Sequence, residues 1–377
     1  MPIKVMTLVG TRPEVIKLCR VIHALDRVAH HVLVHTGQNY DYELNQVFFD
    51  QLEIRKPDRF LEVAAGTLGE TLGNIMARSY AVLAEERPDA LLLLGDTNSC
   101  LAAICAKRLK IPVFHMEAGN RSFDERVPEE LNRRVVDHVS DINLPYTEHA
   151  RRYLLAEGIR PETVIKTGSP MREVLEHYRA QIERCDVLQR LDLAATRYFL
   201  VSAHREENVD DAQSLRDLLE TLDALHAAYR RPVIVSTHPR TRQRLNELGV
   251  QAAGDGVRFL PAMGFFDYVR LEMSALCVLS DSGTLTEEAS ILNFPAVTIR
   301  QAHERPEGMD EATLVMCGLK RERVLEAVAL VTRQFENGAR RFRAVPDYEP
   351  DNVSDKVVRI ILSYVDYVNR VVWRKPV

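Results

Sequence analysis

Short apolar runs alternate along the chain with longer stretches in which apolar residues recur every third or fourth position. In the first half the runs are Ile3–Val9, His31–His35, Ala90–Leu94, Pro112–Met116, Ile142–Leu144 and Val164–Thr167. Leu91 to Leu94 is apolar at successive positions, which suits a strand covered by helices on both faces. The intervening segments, such as Leu68 to Glu85, carry the spacing of amphipathic helices. This alternation predicts βα units around a parallel sheet. The stretch from about 171 to 195 is helical and charged and holds no strand. Strands resume at Tyr198–Ser202, Pro232–Ser236, Val257–Leu260, Leu276–Ser280 and Ala296–Arg300, so a second α/β unit begins near residue 175. Asn352 to Trp373 reads as one more helix, whose packing the pattern leaves open.

In doubly wound sheets ligands bind outside the carboxyl ends of the strands. Those positions are polar in this chain. Gly10-Thr11-Arg12-Pro13-Glu14, Thr36-Gly37-Gln38, Gly95-Asp96-Thr97-Asn98 and His115-Met116-Glu117-Ala118-Gly119 close runs of the first half. His204-Arg205, His238-Pro239-Arg240, Asp281-Ser282-Gly283-Thr284 and Arg300 close runs of the second. Asp96, Glu117 and His204 thus come to one cleft. Each could instead cap a helix or pair with an arginine, but three together point to acid/base chemistry. Burial and mutual repulsion would raise a carboxylate pKa there. Ser282-Gly283-Thr284 precedes a predicted helix, Leu285 to Leu292, whose free N–H groups and dipole suit a phosphate. Arg12, His204, His238 and Arg300 could add positive charge. Glu287 and Glu288, one turn on, could accept hydrogen bonds from a ribose diol.

Composition narrows the classes. The chain has 377 residues and a formal net charge of −5, against a dedicated nucleic-acid binder. Ile3–Val9 is too short for a secretory signal, and no run approaches a membrane span. A cytoplasmic protein is expected. The six cysteines form no CxxC pair and the twelve histidines no HExxH spacing, so no metal site is expected.

The motifs GTRPE (10–14), HTGQ (35–38), GDTN (95–98), EAG (117–119), PEELNR (128–133), SAHREEN (202–208), SDSG with Glu287-Glu288 (280–288) and ERPE (304–307) occur in this order. The set resembles the non-hydrolysing UDP-N-acetylglucosamine 2-epimerases over nearly the whole chain. That resemblance implies an α/β fold of two Rossmann-like doubly wound domains facing across a cleft (GT-B-like). They are expected at 1–172 and 173–359, with a last helix at about 360–377 packing back on the first. It implies inversion at carbon two of a UDP-2-acetamido sugar through a 2-acetamidoglucal, with no cofactor, in a homodimer. Carried over position by position, the catalytic residues are Asp96, Glu117, Glu129 and His204. Arg12, Lys17, His238, Ser282, Gly283 and Arg305 fall at the diphosphate and sugar, Glu288 at the ribose, and the backbone of Ala262 to Phe265 at uracil. The chain departs from many bacterial members in reading His204-Arg205-Glu206-Glu207-Asn208, where they have HRREN. HTGQNYDYELN, EAGNRSFDERVPEE and QAHERPEGMDE resemble a capsule and O-antigen subgroup. Some of its members convert UDP-2-acetamido-2,6-dideoxy-L-talose to UDP-N-acetyl-L-fucosamine. The alternatives are a GT-B glycosyltransferase using a UDP-sugar, a hydrolysing epimerase and an inert sugar-nucleotide sensor.

Overall fold

The apolar runs become strands buried on both faces. In the computed structural model, which describes residues 2–38, 42–237, 239–247, 256–302, 304–335 and 338–375, every residue of Ala90–Leu94 is at most 3% exposed. Two units result: Met1–His177 with Pro346–Val377, and Tyr178–Val345.

The first unit holds β1 (Lys4–Val9), β2 (His30–His35), β3 (Arg59–Phe60), β4 (Ala90–Leu94), β5 (Val113–Met116) and β6 (Ile142–Leu144). They form one parallel sheet in the order β3-β2-β1-β4-β5-β6. Met6, Leu8, Leu91 and Leu93 meet Ile75 and Leu83 of the helix Leu68–Glu86 in its core. The second unit holds β7 (Phe199–Ser202), β8 (Val233–Thr237), β9 (Val257–Pro261), β10 (Cys277–Ser280), β11 (Ala296–Thr298) and β12 (Val315–Met316). Its parallel order, β12-β11-β10-β7-β8-β9, repeats the first unit's topology. Each unit is therefore a Rossmann-like doubly wound domain.

Three details differ from the sequence reading. Val164–Thr167 is not a strand: Val164 makes one isolated bridge to Asn143, and by Ser169 the backbone N–H has turned to the Asp347 carbonyl. β3 and β12, two residues each, were not anticipated. The boundaries fall at 177/178 and 345/346 rather than at 172/173 and about 360. Contacts explain the shift. The helix Met171–His177 packs against Arg12–Val28. Asp347 accepts from Glu148 N (2.8 Å) and Lys166 Nζ (2.6 Å), pinning the returning chain to the first unit. The last helix, Val353–Val371, also lies on Arg12–Val28. No helix among the described residues is long and apolar enough to cross a membrane.

Strand order reverses between β1 and β4 in the first unit, and between β7 and β10 in the second. The loops following these four strands open on the crevices where such sheets bind ligands.

Candidate active site

In the first unit the turn after β1 is closed by a buried carboxyl. Glu14 Oε2 accepts from Gly10 N (2.8 Å), Thr11 N (2.7 Å) and Thr11 Oγ1 (2.9 Å). Its other oxygen accepts from Thr97 Oγ1 (3.0 Å), tying this turn to the loop after β4. Burial outweighs these bonds and pushes the Glu14 carboxyl up to about 7. Arg12 leaves the same turn with its guanidinium over the Phe48 ring, 5.6 Å from the centroid.

Asp96 and Glu117 follow the adjacent strands β4 and β5, and each faces a cation. Arg133 Nε donates to Asp96 Oδ2 at 2.8 Å and its Nη1 to Glu130 at 2.9 Å. Asn132 Nδ2 donates to the Asp96 carbonyl (2.9 Å). Lys17 Nζ donates to Glu117 Oε2 at 2.6 Å, with both side chains largely buried. These carboxylates are paired with cations rather than set against one another, which corrects the expectation of mutual repulsion. Glu117 also has a left-handed backbone, φ 63°. Non-glycine residues rarely adopt it outside turns and functional sites. Glu129 lies half-buried in the first turn of the helix Pro128–Val139 and takes no part in these links.

In the second unit a buried aspartate organises the rim. Asp281, fully buried, accepts from His204 N (3.0 Å), Arg205 N (3.0 Å) and Asn208 Nδ2 (3.0 Å). Its Oδ1 lies 3.1 Å from His204 Nδ1. Burial opposes its ionisation, but the imidazole and these donors prevail and hold the carboxyl well below the usual range. Such an acceptor on Nδ1 orients the ring and favours hydrogen at that nitrogen. Next along, Ser282 Oγ bonds Thr284 Oγ1 (2.9 Å) and Gly283 opens the helix Thr284–Leu292. A Cβ on Gly283 would come within 2.5 Å of Glu304 Oε1, so a side chain here would displace that carboxylate.

Ser282, Gly283, Thr286, Arg300, Glu304 and Arg305 line one pocket. Its cations are braced by buried acids: Arg300 Nη1 to Glu304 Oε2 at 2.6 Å, Arg305 Nη2 to Glu287 Oε2 at 2.9 Å. Glu288 is buried on the same helix. Glu272, on the helix Phe265–Ser274, is buried nearby. Burial, then the neighbouring Glu288 carboxylate, push the Glu272 carboxyl well above the usual range. Phe265 begins the helix Phe265–Ser274 and is buried. His238 lies outside the described residues.

Two rims of different chemistry thus stand at equivalent places in two like domains: ion-paired carboxylates in one, an arginine-lined pocket and a braced histidine in the other. The family model of UDP-N-acetylglucosamine 2-epimerases matches residues 23–362. The chain belongs to the UDP-N-acetylglucosamine 2-epimerase family. Within that family, the solved structure of the Rickettsia bellii UDP-N-acetylglucosamine 2-epimerase is 56% identical, covers 100% of each chain and gives a TM-score of 0.93. That of Methanocaldococcus jannaschii, in complex with UDP-GlcNAc and UDP, is 33% identical over 96% of this chain and 100% of its own, at a TM-score of 0.90. A UDP-2,3-diacetamido-2,3-dideoxy-D-glucuronate 2-epimerase from Pseudomonas aeruginosa is 33% identical over 329 residues, 86% of this chain and 91% of that one.

The structure brings Arg12, Lys17, Asp96 and Glu117 to the rim of the first sheet, and His204, Ser282, Gly283 and Arg305 to that of the second. Several residues that shape these rims escaped the sequence reading: Glu14, Arg133, Asp281 and Glu304. All four stood inside quoted motifs, but only their contacts disclose their work.

Proposed function

We propose that the protein is a non-hydrolysing 2-epimerase of a UDP-linked 2-acetamido sugar, with UDP-N-acetylglucosamine and UDP-N-acetylmannosamine as the first pair to test. The observation that carries this reading is the pair of ion-paired carboxylates, Asp96 and Glu117, on the rim of a domain in a chain of this family. The proton on carbon two is weakly acidic, so its removal must be coupled to departure of UDP from carbon one. In an anti elimination the C2–H electron pair becomes the C1=C2 bond, and the C1–O bond breaks with its pair going to UDP. UDP then adds back to carbon one while a proton reaches the opposite face of carbon two. The balance is redox-neutral.

Two faces of one ring need separate proton donors and acceptors. Asp96, Glu117 and Glu129 take these roles, with His204 as the fourth catalytic group. Arg12, Lys17 and His238 act near the diphosphate and sugar. Ser282, Gly283 and Arg305 hold the diphosphate, Glu288 the ribose, and the backbone at Phe265 the uracil. Ser282 and Gly283, at a helix start, suit such an anion. The same resemblance carries a cytoplasmic setting and a homodimer, the latter checked by sedimentation equilibrium.

A second substrate pair, UDP-2-acetamido-2,6-dideoxy-L-talose and UDP-N-acetyl-L-fucosamine, is favoured by the wording of residues 35–45, 117–130 and 301–311. The deciding experiment is incubation in heavy water with each UDP-sugar, followed by NMR. Deuterium at carbon two with the UDP linkage kept supports the proposal. Free sugar means hydrolysis, and no exchange with any UDP-HexNAc defeats it.

A further inference from the structure

Behind the carboxylate rim lies a buried charged network that the proposed reaction does not itself use. His115, on β5, is 1% exposed, and both its ring nitrogens have partners. Nε2 lies 2.8 Å from the Gly95 carbonyl and Nδ1 2.9 Å from Asp137 Oδ1. Asp137, on the helix Pro128–Val139, also accepts from Gly119 N at 3.1 Å and pairs with Arg121 Nη1 at 2.7 Å. Arg121, wholly buried, continues as a double hydrogen bond to Glu157 (2.8 and 2.7 Å).

Counting donors fixes the protons. A carbonyl only accepts, so Nε2 of His115 must carry hydrogen. Asp137 already receives an arginine and a backbone N–H, which marks it as a carboxylate, so Nδ1 must carry hydrogen too. His115 is therefore an imidazolium inside the protein. Burial opposes that charge, but Asp137, the Gly95 carbonyl and the nearby Asp96 raise its pKa above the ordinary value. Arg121 pairs with the same Asp137 and with Glu157, whose carboxylate also meets His138 Nε2 at 3.2 Å.

Burying such a network costs desolvation, and apolar packing of the same volume is often as stable. What it holds gives the reason. Gly95 immediately precedes Asp96. Gly119 follows Glu117 by two residues, in a loop where Glu117 and Gly119 both have positive φ, 63° and 83°. A Cβ on Gly119 would come within 2.4 Å of the Ala150 carbonyl, so nothing bulkier holds this turn. One ring thus joins the backbones on which both carboxylates ride.

We infer that His115, with Asp137 and Arg121, is a positioning clamp that sets Asp96 and Glu117 in register with each other for proton transfer at carbon two. This rests on the acid/base role proposed for those carboxylates. The kinetic test compares His115→Asn, which retains a donor near the Nδ1 position, with His115→Gln, which retains one near Nε2. The clamp predicts that kcat falls about 100-fold in the first, the scale of a misplacement of about 1 Å. It predicts a comparable fall in the second, which severs the link to Asp137. Affinity for UDP stays within about twofold in both, and the share of turnovers releasing UDP and the unsaturated sugar rises. Wild-type kcat in His115→Asn, or equal loss of kcat and UDP affinity in both variants, overturns the clamp.

A neutron structure of the unmodified protein at neutral pH needs no variant to fold. Deuterium on both ring nitrogens of His115 supports the clamp, and deuterium on only one overturns it. Wild-type protein that exchanges no hydrogen at carbon two removes the reaction instead, and the neutron result alone then judges the network.

Discussion

The two domains share a strand order and put loops at the same reversal point, yet their rims are made of opposite materials. After β4 and β5 come carboxylates, each answered by a cation from a neighbouring helix: Asp96 by Arg133, Glu117 by Lys17. After β7, β10 and β11 come a histidine steadied by a buried aspartate, a helix start and arginines braced by glutamates. Topology decides where chemistry sits, and a handful of loop residues decide what it is. The first rim suits moving protons and the second suits holding an anion, and that division can be broken by experiment.

The largest effects are expected on the first rim. Asp96→Asn and Glu117→Gln should each lower turnover by about 10²–10⁴-fold, the usual worth of a positioned acid or base, while UDP affinity measured by calorimetry hardly moves. If affinity falls in step with turnover, the division of labour is wrong. Next comes Asp281→Asn. It removes the acceptor that orients His204, and turnover should drop by roughly 100-fold, less than the loss from misprotonated triads. His204→Ala should cost no less, and a combined variant no more than the worse single one, if the two act as a unit.

Gly283→Ala makes the opposite demand. The added Cβ crowds Glu304 at the helix start. UDP should bind on the order of tenfold more weakly, with turnover at saturating substrate nearly kept. A loss confined to turnover would put this turn on the proton-moving side. The smallest effect concerns Glu14, whose folded-state pKa is raised to about 7 from an ordinary 4.5. The folded state then binds the proton more tightly than the unfolded one. Its contribution is fully present below pH 4.5 and fades as pH rises through about 7. The melting temperature of the wild type should decline relative to Glu14→Gln across that window. A constant difference between them would mean the carboxyl is not held neutral.

How much of this was legible beforehand depends on how locally each feature is written. Strands buried on both faces announce themselves as apolar runs, and β1, β4 and β5 were found within a residue. β3 and β12 have two residues each at sheet edges and carry no periodicity. Val164–Thr167 has a strand's composition but only a fragment of a partner. Asp96, Glu117, His204 and Ser282 could be picked out because strand ends are where ligands bind. Asp281, Arg133 and Glu304 could not be ranked above other polar residues. Their meaning lies in partners 77, 37 and 99 positions away, to His204, Asp96 and Arg205 respectively.

The return of the chain at Pro346 has a consequence for how the molecule is made. The first domain begins the chain but takes its closing helix, Val353–Val371, from near the end. The second, contiguous from Tyr178 to Val345, has all its segments out of the ribosome earlier. During synthesis, at roughly 5–20 residues per second, the second domain can be finished while the domain bearing Asp96 and Glu117 still waits for its last helix. A nascent chain stalled short of that helix would then carry the proposed UDP-binding rim without a completed carboxylate-bearing domain.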